Sequence, residues 1–301
     1  MKSLVILSFI LLIVVFLCIY WQIHKRITSI YHSVVLSFEV NKKLYDIPFY
    51  TKKFIEANYK QKIPFQIFRT NEFNQVPSKM RDSINIWTNT NFEYDSYMFD
   101  DKECLQYIKN NYSERILNAY KKLIPGAYKS DFWRYCVLFR EGGVYIDSPM
   151  ICIEPLRKII NPKSDFLCVW DIHPSGEGIY NAFMASVPNH PILKYVIDIC
   201  VDMIEREDYG VSDLDITGPR ALWRAYMKFV NETKNNIQNI QILQHYKREV
   251  GYEGGFIANK NPNLDKNIFI WTKYIGYSKD KIWYNSKDSY SILWKNKNVF
   301  Q

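Results

Sequence analysis

The sequence predicts an α/β layer fold. Short apolar runs of strand character alternate with longer stretches of helical period, the pattern of helices packed on a sheet. Hydrophobic residues make up 48% and aromatics 16% of the 301 residues, enough apolar surface to offset chain ordering, which excludes a disordered or collagen-like chain. No internal repeat and no break in composition divides the chain beyond its first sixty or so residues, so one catalytic-sized domain is expected there.

The amino terminus differs from the rest. Residues 3–23 carry no charge, and Leu4 to Trp21 is apolar apart from Ser8, which suits a helix crossing a ~30 Å hydrocarbon core. Tyr20 and Trp21 stand where a cleavable leader needs small residues, and both suit a membrane interface. The expected organisation is therefore a single-pass transmembrane anchor at 1–23, a stem at 24–60 and a globular domain at 61–301. Lys2 opposes Lys25 and Arg26, which leaves orientation open. Two glycosylation triplets, Asn111-Tyr112-Ser113 and Asn231-Glu232-Thr233, suit a lumenal domain of Golgi or ER type.

The elements follow in order. Ile63-Pro64-Phe65-Gln66-Ile67-Phe68-Arg69 alternates like a strand, and Pro77 to Thr88 reads as a helix with proline near its first turn. Phe92 to Phe99 is a second strand, after which Asp100-Asp101 caps a helix to Ile108. A helix from Ser113 to Ile124 breaks at Pro125-Gly126; another starts at Lys129 or Ser130, runs to Glu141 and stops at Gly142-Gly143. Val144 to Ile146, Asp165 to Asp171 and Tyr180 to Val187 are strands, while Ile192 to Glu207 and Pro219 to Asn231 are helices. Short strands with aromatic loops are expected to complete the chain.

The net charge of +8 favours anionic partners, sugar nucleotides among them. It is spread out, with no run of five Lys or Arg and no RNA-binding or zinc-finger signature, so nucleic acid is not an expected partner. The six cysteines, Cys18, Cys104, Cys136, Cys152, Cys168 and Cys200, form no CxxC pair and read as free buried thiols.

The stretch from Ser130 to Asp147 carries the chemistry. Asp131 and Arg134 lie at i and i+3 on a helix and share a face, where they can meet a ribose hydroxyl and an anionic phosphate. Each is also, taken alone, an ordinary intrahelical ion pair. Two glycines then end the helix, and a short strand delivers Asp147 to its carboxyl end. Open α/β sheets bind ligands at that edge, and a carboxylate there can meet a ribose or a divalent cation bridging a diphosphate.

In this order the residues resemble the DxD-motif sugar-transferase family of fungal initiating mannosyltransferases, α-1,4-galactosyltransferases and bacterial capsule enzymes. The matching positions are Ala127, Ser130, Asp131, Arg134, Tyr135, Leu138, Gly142, Gly143, Tyr145 and Asp147. Weaker similarity covers residues 63–70, Tyr94 to Asp100, Asn181 to Pro191, Thr217-Gly218-Pro219 and Trp294. The resemblance implies a GT-A, Rossmann-like nucleotide-diphospho-sugar transferase domain and a retaining hexosyl transfer. The donor would be a UDP- or GDP-hexose and the acceptor a glycan, glycolipid or glycoprotein. It implies that Ser130, Asp131, Arg134, Tyr145, Asp147, Asn181 and Trp294 bind the nucleotide sugar, that Asp147 and Arg134 are catalytic, and that Asp147 contacts Mn²⁺. Asp147→Asn and Arg134→Ala are each expected to abolish transfer with the fold intact.

The chain departs from the family where the second Asp of the motif falls, at Pro149. Proline offers no side-chain ligand. Another carboxylate supplies the metal, basic side chains replace it, or the protein binds without turnover. The last outcome defines the alternative function, a catalytically degenerate membrane-anchored sugar or nucleotide binder. Among other candidates, Asp171 at a strand end can face the sugar or the metal, His190 caps the following helix, and His245 has no evident partner. Glu177 and Asp215 are expected to be solvated.

Overall fold

The structure is a computed structural model that describes residues 42–171, 177–234, 237–247, 253–259, 267–284 and 289–301. The expected anchor at 1–23 and the first part of the expected stem lie outside the described residues. Among those described, no helix is long and apolar enough to cross a membrane.

Along the chain run β1 (Leu44–Asp46), β2 (Tyr50–Thr51), β3 (Gln66–Thr70), β4 (Gln75–Pro77), α1 (Ser78–Thr90), β5 (Asp95–Phe99), α2 (Asp101–Asn111), α3 (Glu114–Lys122), α4 (Gly126–Glu141), β6 (Gly143–Ile146), β7 (Ile151–Cys152), α5 (Leu156–Ile159), β8 (Phe166–Trp170), β9 (Phe183–Ser186), α6 (Pro191–Glu205), α7 (Pro219–Glu232), β10 (Ile240–Lys247), β11 (Gly255–Asn259), β12 (Ile270–Trp271), α8 (Tyr277–Tyr284) and α9 (Tyr290–Lys295). The α/β reading holds. Ten strands make one sheet in the order β2-β5-β3-β6-β9-β8-β10-β11-β12-β7. β5, β3 and β6 are parallel, as are β8 and β10, while β9 runs antiparallel between β6 and β8.

Two strands fall inside the stretch read as a stem. β1 pairs with β4, and β2 extends the main sheet beside β5, with Tyr50 opposite Tyr97. The segment is short and interrupted, so its period is not visible in sequence.

The sheet is covered on both faces, and the period of two in each strand sorts its side chains between them. Phe68, Tyr145, Phe166, Cys168 and Met184 pack with α4, α6 and α7. Ile67, Val144, Ile146, Leu167, Val169 and Phe183 point the other way, toward Trp87 of α1 and Leu156 and Ile159 of α5. Each such buried aliphatic or aromatic side chain contributes about 1.5–3 kcal/mol relative to exposure. Helix α4 is apolar almost all round, with Phe132, Trp133, Tyr135, Cys136, Val137 and Leu138 buried, which is why it lies against the sheet rather than on the surface. The five described cysteines are free and buried, as expected.

Two local boundaries matter for the site. α2 starts at a capping box, with the Asp100 carboxylate accepting from the Glu103 N–H and the Glu103 carboxylate from the Asp100 N–H. α4 begins at Gly126, earlier than the sequence suggested. Pro125 ends one helix and caps the next, because an N-terminal turn has no use for the missing N–H.

Candidate active site

Helix α4 ends at Gly142, with φ +68°, and Gly143 follows at φ +92°. A Cβ at Gly142 would lie 2.7 Å from Pro188 Cδ, and one at Gly143 2.7 Å from the Gln66 carbonyl oxygen. Both positions therefore need glycine for conformation and for space. The turn feeds straight into β6, which pairs with β3 and β9 and carries Asp147 just past its carboxyl end. The Asp147 N–H donates to the Ala182 carbonyl at 2.9 Å, so the start of β9 holds that end in place.

Arg134 is the centre of the site and is buried. Its Nη2 lies 3.2 Å from Asp131 Oδ1 and 3.3 Å from Asp147 Oδ1. Nη2 also donates to Ser130 Oγ at 2.9 Å, Nε to the Ser130 carbonyl at 3.2 Å and Nη1 to the Asn181 carbonyl at 2.8 Å. Its guanidinium sits over the Tyr145 ring, 4.3 Å from the centroid. The Tyr145 hydroxyl donates to Asp147 Oδ1 at 3.0 Å and lies within 3.1 Å of Ser130 Oγ, which in turn meets Thr70 Oγ1 at 2.7 Å.

A second branch fixes Asp131. Asn181 Nδ2 donates to its Oδ1 at 3.0 Å and to the Tyr135 hydroxyl at 2.8 Å. Thr217 Oγ1 donates to Asp131 Oδ2 at 3.3 Å, and the Tyr135 hydroxyl donates to the Thr217 carbonyl at 2.8 Å.

The electrostatics divide the two carboxylates. Burial pushes the Asp131 carboxyl up from 3.8 to about 6, against the pull of Arg134 and the hydrogen bonds of Asn181 and Thr217; the Asp147 charge adds to the rise. Burial alone would lower the Arg134 guanidinium, but Tyr145, Asp147 and Asp131 outweigh it and hold it above the usual arginine value. The side chain of Asp147 is 34% exposed, against 15% for Asp131 and 5% for Arg134. Of the three, Asp147 is the one a ligand can reach. Tyr277 of α8 stands near it: its phenol is pushed up to about 12, by burial first and then by the Asp147 charge.

Ser130, Asp131, Arg134, Tyr145, Asp147 and Asn181 thus form one connected cluster. Among the described residues no hydrogen bond or ring contact joins Trp294 to it; the Trp294 indole N–H donates to the Tyr209 carbonyl at 2.8 Å, and Lys297 lies over its ring. Sequence reasoning passed over Thr70 and Thr217 as site residues. Thr217 was findable through its Thr-Gly-Pro loop, whereas Thr70 enters only through the β3–β6 register.

Four other candidates have partners outside this cluster. His190 caps α6, its Nδ1 accepting from the Ile192 N–H at 3.3 Å. His245 has a partner after all, with Nδ1 3.1 Å from Asp171 Oδ1 and its ring stacked on Tyr180. Asp215 is not solvated. It is buried, accepts from the Val211 and Ser212 N–H groups and pairs with Arg220, because it anchors the loop that carries Thr217. Glu177 is half exposed and pairs with Arg220 at 3.0 Å.

The donor set does not build a metal centre from protein groups alone. Among the described residues no group of three or more His, Cys, Asp or Glu side chains converges. Pro149 supplies no side-chain ligand, and its carbonyl accepts from the Tyr274 N–H at 3.0 Å. Asp147, the expected Mn²⁺ contact, already faces the Arg134 cation.

Comparison with known proteins adds the class. Residues 77–167 match the family model described as "Glycosyltransferase sugar-binding region containing DXD motif", with Asp147-Ser148-Pro149 standing in the place of that motif. The chain is 25% identical over 167 residues to "Uncharacterized glycosyltransferase L373" of Acanthamoeba polyphaga mimivirus, covering 56% of this chain and 64% of that protein. It is 23% identical over 240 residues to "Inositol phosphoceramide mannosyltransferase 2" of Schizosaccharomyces pombe, covering 79% of this chain and 62% of that protein. The chain thus spans somewhat less than two thirds of the length of these relatives. The solved structure titled "PaToxG Glycosyltransferase" aligns with a TM-score of 0.48 at 18% identity, over 60% of this chain and 74% of that one.

Proposed function

We propose that this protein is a glycosyltransferase that moves a hexose, with mannose the first choice, from a nucleotide sugar to a hydroxyl of a glycan or glycolipid. The observation that carries the reading is the Asp131–Arg134–Asp147 cluster, most exposed at Asp147, at the carboxyl end of β6. Curated relatives named as inositol phosphoceramide mannosyltransferases support mannose as the sugar and a glycolipid as the acceptor, which sets the work at a membrane surface.

In the transfer, the bond from the sugar C1 to the diphosphate oxygen breaks and the leaving nucleoside diphosphate keeps the electron pair. The acceptor oxygen bonds to C1 and gives its proton to the leaving diphosphate oxygen. We assign this chain's residues to positioning and charge control. Asp147 accepts hydrogen bonds from donor hydroxyls. Arg134 spends its N–H groups on Ser130, Asn181 and the two carboxylates, so it is a positioning residue that holds Asp147 in place. Retention of the anomeric configuration is the stereochemistry we assign, on the family resemblance.

The test is donor consumption by the full chain with GDP-mannose and with UDP-hexoses, using inositol phosphoceramide as acceptor, in Mn²⁺ and in EDTA. The proposal expects GDP release and a mannosylated lipid. Nucleotide binding with no turnover of any donor in either condition would contradict it and leave the binder.

A further inference from the structure

Arg69 lies on the sheet face away from the donor cluster. β3 turns Phe68 toward α4, while Ile67 and Arg69 face α1. Arg69 is 1% exposed, and its guanidinium lies 5.8 Å from the Trp87 ring. Nη1 donates to Ser96 Oγ at 3.2 Å. Nε and Nη2, which form the side-on fork that matches a carboxylate or phosphate, are buried and have no hydrogen-bond partner. Among the described residues no Asp or Glu pairs with it. Burial pulls its pKa down to about 10, so it remains a cation at neutral pH. A buried cation without a counter-ion is costly, and proteins normally pair it.

A cavity of about 150 Å³ adjoins it. Arg69 is the sole charged residue in the lining, and the polar remainder is neutral: Thr51 of β2, Ser96 of β5, and Asn85, Thr88 and Asn89 of α1. Such a lining offers hydroxyl and amide donors with no carboxylate to repel an anion. The volume takes a small oxyanion and gives the guanidinium room to turn its fork inward.

We propose that this cavity is an anion site, separate from the donor site, in which Arg69 binds a small oxyanion of phosphate or carboxylate chemistry. The donors from β2, β5 and α1 complete the shell. The site lies one residue along β3 from Thr70, so its occupant braces the strand that supports the donor cluster.

The experiment is thermal unfolding of the full chain at constant ionic strength, with chloride replaced by inorganic phosphate in one series and acetate in the other. One of the two should raise the unfolding midpoint by about 5 °C at about 100 times its Kd, and which one does so assigns the chemistry. Arg69→Met, which removes the cation, and Thr88→Phe, which fills the cavity and leaves Arg69 in place, should each abolish the rise. If Arg69→Met fails to fold, Thr88→Phe decides alone. No rise with either anion would overturn the proposal. So would a rise that persists in either variant, which would place the anion elsewhere, the donor site included.

Discussion

Two arginines are buried in this domain with opposite surroundings. Arg134 is held between Asp131 and Asp147 and has its N–H groups occupied, whereas Arg69 has one hydroxyl partner and no carboxylate. Their environments move them in opposite directions, Arg134 above and Arg69 below the ordinary arginine value. The difference teaches what each is for. A compensated buried cation organises the groups around it, and an uncompensated one is a place that a ligand can complete.

The largest expected effect falls on the compensated arginine. Arg134→Ala leaves two carboxylates facing each other without their cation, and unfolding free energy should drop by about 3–5 kcal/mol in denaturant titration. At 4% exposure Arg134 supports structure as well as any ligand. A loss below 1 kcal/mol would erase the contrast with Arg69.

Next comes the pH dependence that the cluster imposes. The Asp131 carboxyl sits at about 6 in the folded protein against an ordinary aspartate value of 3.8, so the folded state holds a proton between those values that the unfolded chain has released. The group's contribution is fully present below about pH 4 and is lost as pH rises through 6. Wild type should therefore lose up to about 3 kcal/mol between pH 4 and 7 that Asp131→Asn does not lose, measured as the difference between their stability–pH curves. Parallel curves would mean that Asp131 is not desolvated.

Gly143→Ala should cost about 1–3 kcal/mol, since φ is +92° and the new Cβ would meet the Gln66 carbonyl. The smallest effect has the opposite sign. Arg69→Met removes an uncompensated buried charge and should leave stability unchanged or raise it by about 1–2 kcal/mol in anion-free buffer. A marked loss would show that Arg69 is compensated.

The same contrast explains what was legible in the sequence. The Ser130–Asp147 stretch was legible because its geometry is local: i, i+3 and i, i+4 spacings on one helix, then two glycines that only one kind of turn requires. Asn181 was reached through the family resemblance, but its contact with Asp131 depends on β9 running antiparallel to β6. Thr70 and Thr217 reach the cluster through sheet register and a loop anchored by the buried Asp215, neither of which has a period in sequence. Arg69 read as one more residue of an alternating strand, because which face α1 covers is a tertiary fact. β10, an eight-residue strand of mixed polarity, was expected only as short strands, since its half-buried side chains blur the alternation.

The central claim is that Asp147 is the carboxylate that meets the donor while Arg134 holds it there. The most direct test is the donor turnover rate of Asp147→Asn beside its unfolding midpoint. Turnover should fall about 10²–10³-fold with the midpoint within a few degrees of wild type, because Asp147 is partly exposed and the asparagine amide keeps its shape. Turnover retained at the wild-type rate in a folded Asp147→Asn protein would contradict it.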